Sequence, residues 1–258
     1  MIDIGVNLNH DFFLNDLLGL KMELHTAGIE KIIAISSSLA ESQLLIDLSK
    51  AQPDLPLHYT LGCHPHNASE WGPHTYQAIN TLLHASAAVA IGETGLDFNR
   101  NFSSPEAQMY AFQEQIALAQ KHALPLFLHE RDAESAVIST LKNHISGNVK
   151  GVIHCFTGGK QSLKAYLDLG LYIGVTGWVC DERRGQDLQD AVKYIPDDRL
   201  LIETDAPYLL PRTIKPRPKK NHPKYLPFIV ETIATLRHQS VDQITTITRQ
   251  NTADLFAI

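Results

Sequence analysis

Cysteine is scarce in this chain. Only Cys63, Cys155 and Cys180 occur in 258 residues, far apart and odd in number. That excludes a disulfide framework and a zinc-knuckle spacing, and it leads to the expectation of a reducing, cytoplasmic setting. Long apolar runs are also missing. None approaches the roughly 20 residues that cross a bilayer, and the opening MIDIGVNLNHDFF has neither the basic head nor the apolar stretch of a secretory signal. No membrane association is expected. Positive charge is in short supply too: 22 basic against 28 acidic side chains leave a net charge of −6 and a pI near 6.1. General attraction to a polyanion is thereby excluded, so any nucleic-acid contact needs a local basic patch. No repeat period or low-complexity tract appears.

What the chain does have is alternation. Short apolar runs near Met1–Val6, Lys31–Ile35, Leu57–Gly62, Ala88–Gly92, Leu126–His129, Gly151–His154, Leu171–Val175 and Leu200–Glu203 read as strands. Amphipathic stretches fill the gaps. Pro105–His122 is the clearest, with Ala111, Phe112, Gln115, Ile116 and Ala119 on one stripe. Ser103 or Ser104 supplies its cap, Pro105 its first turn and Glu106 a favourable dipole charge. Eight strand–helix units predict a closed (β/α)8 TIM barrel spanning 1–258 as one domain. His222–Ile258 reads as two or three extra helices covering the outside or one barrel end.

Barrel geometry gives strand ends their meaning, because active sites of this fold lie at the carboxyl ends. Period-2 alternation places Asp3, Gly5 and Asn7 on one side of the first strand. Ile91 and Glu93 share a side of the fourth, Phe127 and His129 of the fifth, and Val152 and His154 of the sixth. Leu201, Glu203 and Asp205 share a side of the eighth, and His64 lies just past the third. Each polar group is then the last inward residue after apolar ones. Two imidazoles and two carboxylates so placed suit a divalent cation: oxygen donors admit magnesium or manganese, and the imidazoles also admit zinc. The bland alternatives are satisfied core histidines for His129 and His154, a turn-capping role for Asp205 and a helix cap for Asp132. Glu203 either orients a ligand or pairs with an inward arginine.

Substrate contacts are expected around the same mouth. His64 and His66 stand near the third strand end, where His66 serves equally well as a helix-start or surface residue. Arg131 follows His129 by two positions. Between Pro211 and Tyr225 stand Arg212, Lys215, Arg217, Lys219, Lys220 and Lys224 with no acid among them. Phosphate contacts from such a loop are sequence-neutral and salt-sensitive; the alternative is a proline-stiffened solvated connector. Arg183 and Arg184 are placed to clamp phosphate, unless Asp181 and Glu182 only neutralise them. Trp178, Tyr208 and Phe98 offer stacking faces, with core packing as the competitor.

Six ordered motifs, GCHPH (62–66), AIGETGLDF (90–98), HERDA (129–133), HCFTG (154–158), TGWVCDERRG (176–185) and ETDAPYLLP (203–211), resemble the TatD family of metal-dependent nucleases over essentially the whole chain. The resemblance implies a TIM barrel related to the amidohydrolases and magnesium-dependent hydrolysis of DNA. With DIGVNL (3–8) and FNRNFS (98–103) it further implies 3′→5′ exonuclease action on single-stranded DNA and RNA and a role in DNA repair. Carried over, it makes Glu93, His129 and His154 metal ligands and Asp205 a ligand or general base, with Glu93 and His64 also catalytic. His66, Arg131, Arg183, Arg212 and Glu203 are the expected substrate contacts, and a monomer is the expected state. Most of the wider family opens with D-x-H-x-H; here Gly5 and Asn7 stand in place of the two histidines, which weakens one metal position. A metal-dependent aminoacyl-tRNA deacylase, or another amide or ester hydrolase, is the alternative on the same barrel, and a non-catalytic nucleic-acid binder is the third reading.

Overall fold

A computed structural model describes all residues, Met1–Ile258. Eight strands, β1 (Ile2–Val6), β2 (Lys31–Ala34), β3 (Leu57–Leu61), β4 (Ala90–Asp97), β5 (Leu126–Arg131), β6 (Gly151–Ile153), β7 (Tyr172–Val175) and β8 (Leu200–Ile202), lie side by side in chain order. Every neighbouring pair is parallel. The segment after β8 brings the two edges together. Val6 bridges Ala206, the Asp205 N–H donates to Gly5 O at 2.9 Å, and the Asn7 N–H donates to Ala206 O at 2.8 Å. The expected (β/α)8 barrel is the fold.

Helices fill the intervals because their apolar stripes need the strands' outer faces. Pro105–His122 forms as one helix, with its stripe buried. Ser104 is its cap, accepting the Ala107 N–H at 3.3 Å. The other candidate, Ser103, instead accepts the Ser69 N–H and donates to His66 O. From the same helix, buried Gln115 accepts the Cys63 N–H at 2.8 Å and donates to Cys63 O at 3.0 Å. That double contact fixes the segment carrying His64.

Two apolar layers result. A cluster of 55 residues lies between strands and helices. A second cluster of ten, including Ile4, Ile33, Phe127, Val152 and Leu201, fills the inside. The extra helices at the C-terminus are two, Leu226–Arg237 and Val241–Phe256, after a short turn at Pro223–Tyr225. Leu255 and Phe256 of the last one join the inner cluster and close that side of it. No helix is long and apolar enough to cross a membrane.

Strict alternation fails in two strands. Ile91 packs in the outer layer and Ala90 in the inner one, so Ile91 and Glu93 do not share a side. Ile4, not Asp3, reaches the inner cluster. Register shifts between Ile91 and Thr94 and between Asp3 and Val6 explain both, since an irregularity of one residue re-aims the side chains beyond it. β4 also runs to Asp97 instead of ending near Gly92, because Thr94–Asp97 keep pairing with Leu128–Arg131. Asp132 does not cap the helix Glu134–His144. Its carboxylate accepts from Asn99 Nδ2, while Glu130 Oε1 takes the Ala133 N–H.

Candidate metal centre

Glu93 is the hub of the mouth. Its Oε1 lies 2.7 Å from His154 Nε2, 3.0 Å from His129 Nδ1 and 3.4 Å from His64 Nε2. The rings arrive from within β5 and from just past β6 and β3, and Glu93 from within β4, so four separate strands converge on one oxygen. Donor atoms of His64, Glu93 and His129 lie within 4.8 Å of one another. Phe127 forms the floor, its ring 5.0 Å from His154 and 6.4 Å from Phe256.

What each imidazole can do is set by its far nitrogen. His154 Nδ1 faces Glu203 Oε2 at 3.4 Å, and His129 Nε2 faces Asp97 Oδ2 at 3.5 Å. Glu203 can hold the His154 proton on Nδ1 and leave the Nε2 lone pair for a cation; His129 Nε2 makes no hydrogen bond and only lies near Asp97. His64 is different. Its Nδ1 accepts the His66 N–H at 3.0 Å as the cap of the turn Pro65–Glu70, which puts its proton on the Nε2 that faces Glu93. Burial also lowers His64 to about 4 against the opposing pull of Glu93, so the ring is neutral near pH 7. His64 therefore suits hydrogen-bond donation, and Glu93, His129 and His154 suit ligation. Burial opposes charge on Glu93, yet His154, His64 and the ring hydrogen bonds hold it well below the ordinary carboxylate range. Burial likewise opposes charge on His154, but Glu93 and Glu203 raise it well above the usual imidazole value. A permanent anion ringed by imidazoles fits a divalent cation, whose arrival would displace ring protons.

Glu203 is fully buried behind His154. Its Oε1 accepts the Cys155 N–H at 2.5 Å. A Cβ on Gly5 would overlap Glu203 Oε2, and one on Gly174 would come to 2.6 Å from Oε1. The carboxylate thus occupies room that a side chain at position 5 would need. This corrects the expected substrate contact: Glu203 has no exposed surface to offer and positions His154. No arginine pairs with it.

Asp205 stands beside this group but outside its ring of contacts. Its Oδ1 accepts from Asn7 Nδ2 at 2.8 Å. Burial first, then the charges of Glu93 and Glu203, push it up to about 7 against the pull of His154 and the Asn7 hydrogen bond. Asp205 is thereby anchored beside the site for either of its expected roles, cation ligand or proton acceptor. Asn7 is its anchor.

The chain matches the family described as TatD related DNase over residues 2–257. It is 45% identical to the 3′-5′ ssDNA/RNA exonuclease TatD of Erwinia amylovora over 260 residues, covering 100% of both chains. It is 42% identical to the protein of that name from Salmonella typhimurium, covering 100% of this chain and 99% of the other. A solved TatD homolog from Escherichia coli superposes with a TM-score of 0.90 at 27% identity, over 100% of this chain and 98% of that one. This chain belongs to the TatD-related DNase family.

One member of the site escaped the sequence reading. Asp97, buried, holds its Oδ1 on the Asn99 and Arg100 N–H groups at 3.1 and 2.9 Å. Its Oδ2 meets His66 Nε2 at 2.7 Å as well as His129. The signal was present in AIGETGLDF: a second acid four positions after Glu93 lies on the same side of a continuing strand. His66, an expected substrate contact, spends its ring on Asp97 and on Phe102, whose centroid lies 4.8 Å away.

The remaining expected contacts of this TatD-family chain sit around the rim. Arg131 lines a cleft of about 530 Å³ with Phe98, Asp132, His154 and Cys155, and is exposed there. The basic loop is partly spoken for: Lys224 pairs with Glu23 at 2.5 Å, and Lys220 lies over the Phe12 ring. Arg183, Arg184 and Arg212 converge on Asp181. Trp178 is half-buried under Arg184, and Tyr208 is exposed.

Proposed function

We propose that this protein is a divalent-metal-dependent 3′→5′ exonuclease acting on single-stranded DNA and RNA, activated by magnesium and serving DNA repair in the cytoplasm. The nuclease chemistry is supported above all by one observation: Glu93 Oε1 is shared by His129 and His154, with a buried carboxylate oxygen 3.5 and 3.4 Å from their respective far nitrogens. Polarity and substrate rest on the activity named for the relatives. Magnesium and the repair setting rest on the family likeness, while the two imidazole nitrogens also suit manganese or zinc.

Glu93, His129 and His154 would hold the cation. When bound, it supplies a Lewis acid that polarises a phosphate oxygen and acidifies water. Asp205, held by Asn7 and poised near neutrality, takes the proton of the attacking water. His64 turns its Nε2–H toward the same space and hydrogen-bonds the phosphate. Arg131, facing the cleft without a carboxylate partner, offers a fork of N–H donors to a neighbouring phosphate oxygen.

End-labelled single-stranded DNA and RNA, incubated with magnesium, manganese or EDTA, test this reading. A ladder that shortens from the 3′ end, disappears in EDTA and falls to background in Glu93→Ala of unchanged circular dichroism is the expected result. Cleavage confined to an aminoacyl ester would move the protein to the deacylases, and strands bound but intact would make it a binder.

A further inference from the structure

A second built cluster stands on the rim, on the segments after β7 and β8. Asp181 is buried, its side chain 4% exposed, at the end of the short turn Gly177–Cys180. Its Oδ1 accepts the Arg183 N–H at 3.0 Å and the Arg184 N–H at 3.3 Å. Three guanidinium groups then approach this one carboxylate, all by the Nε edge: Arg184 at 3.2 Å, Arg183 at 3.6 Å and Arg212 at 3.7 Å. Glu182 adds one contact, 3.6 Å from Arg212 Nε.

The edge used is the informative part. A guanidinium carries five N–H donors, and one engaged through its Nε alone keeps its outer nitrogens free for another anion. Here the Nε edges face Asp181, and the outer Nη nitrogens of all three side chains have no protein acceptor. Three positive charges against Asp181 and Glu182 leave a local surplus of one in a chain whose net charge is −6. Arg184 also lies over Trp178, 4.6 Å from the ring centroid, which limits the freedom it would lose on binding. Asp181, hydrogen-bonded by Arg184 and close to the other two, gathers three side chains whose outer nitrogens stay free.

The place is apt. In barrels of this kind the segments after the seventh and eighth strands recurrently hold phosphate. Here they are packed together, since a Cβ on Gly177 would come to 3.1 Å from Pro211. Thr176, at the start of the turn, lies 4.0 Å from the sulfur of Cys155, the residue after His154. The cluster and the metal centre share one rim.

We propose that Arg183, Arg184 and Arg212 form a phosphate-binding subsite that grips the backbone of a single-stranded nucleic acid at a phosphodiester other than the one being cut. The substrate class rests on the nuclease reading; the binding itself does not require turnover. The forks bind phosphate bidentately, and the contact is indifferent to base sequence.

The test is fluorescence anisotropy of labelled oligothymidylate in EDTA, across a salt series, for the wild type and for Arg183→Gln, Arg184→Gln and Arg212→Gln. Each substitution is expected to weaken binding several-fold and to flatten the slope of log K against log salt by about 0.7 per lost contact. With metal restored, KM for the strand should rise far more than kcat falls. Arg183→Lys, Arg184→Lys and Arg212→Lys keep the charge and serve where a glutamine variant loses its fold: they should retain the salt slope and still bind more weakly, because the fork is gone. Wild-type affinity and slope in both sets would overturn the subsite. If the wild type binds strands with this salt dependence but cuts none, the nuclease reading falls and the subsite stands. If it cuts and the arginine variants bind normally, the subsite alone falls.

Discussion

At the scale of single residues, the account rests on which nitrogen of each imidazole is free. Glu203 hydrogen-bonds the far nitrogen of His154, Asp97 lies 3.5 Å from that of His129, and the turn after β3 holds that of His64. Asp97→Asn keeps the shape but replaces an anion with an amide able to present its NH2 to the ring. Calorimetric titration with manganese should then show roughly 10–100-fold weaker binding, with the melting temperature little changed. Unaltered affinity would mean that His129 needs no partner behind it. Glu93, His129 and His154 were legible in the sequence because a charged or imidazole group ending an apolar strand adds nothing to a core. Asp97 was not, because the fourth strand was read as ending near Gly92, five residues too early. The burial of Glu203 was not either, since it depends on the missing side chains of Gly5 and Gly174, two strands apart in space and far apart in sequence.

At the scale of elements, the seam between β1 and the segment after β8 carries two consequences. Gly5 is needed because the Glu203 carboxylate occupies its side-chain space. Gly5→Ala should cost about 1–3 kcal/mol in urea unfolding, as overpacking does, and should weaken cation binding by displacing Glu203 from His154. Stability equal to the wild type would show that the pocket has room to give. The same crowding leaves no void beside Gly5. Asp3 is the second case. Burial pushes its carboxyl up to about 8, with Glu203 adding to the rise and the Thr204 and Gly5 hydrogen bonds opposing it. Between its ordinary value of 3.8 and about 8 the folded chain keeps a proton that the unfolded chain has released. Stability from this group is therefore whole below pH 3.8 and declines as pH rises to about 8. Asp3→Asn retains an acceptor for the Thr204 and Gly5 N–H groups and removes that decline. Chemical denaturation across this window should show a flatter profile for the variant, and parallel profiles would count against a neutral Asp3. Alternation predicted these strands' positions well but not their facing, because a register shift in β1 and another in β4 turn the pattern over partway along.

For the whole molecule, eight alternations of strand and helix were enough to predict the barrel, since few other arrangements bury so many two-faced elements. The closure by Asp205 and Ala206 against Gly5 and Asn7 lay beyond reach, being made by backbone groups of a segment with no strand pattern. A net negative chain acting on a polyanion needs its positive charge concentrated, and the rim after β7 and β8 is where it is found. Catalysis is proposed at one place: a cation between Glu93 on β4, His129 on β5 and His154 just past β6. Anomalous diffraction from crystals grown with manganese measures it directly. A peak within bonding distance of Glu93 Oε1, His129 Nδ1 and His154 Nε2 is expected; a peak elsewhere, or density at the mouth without an anomalous signal, would show that the cation is not held there.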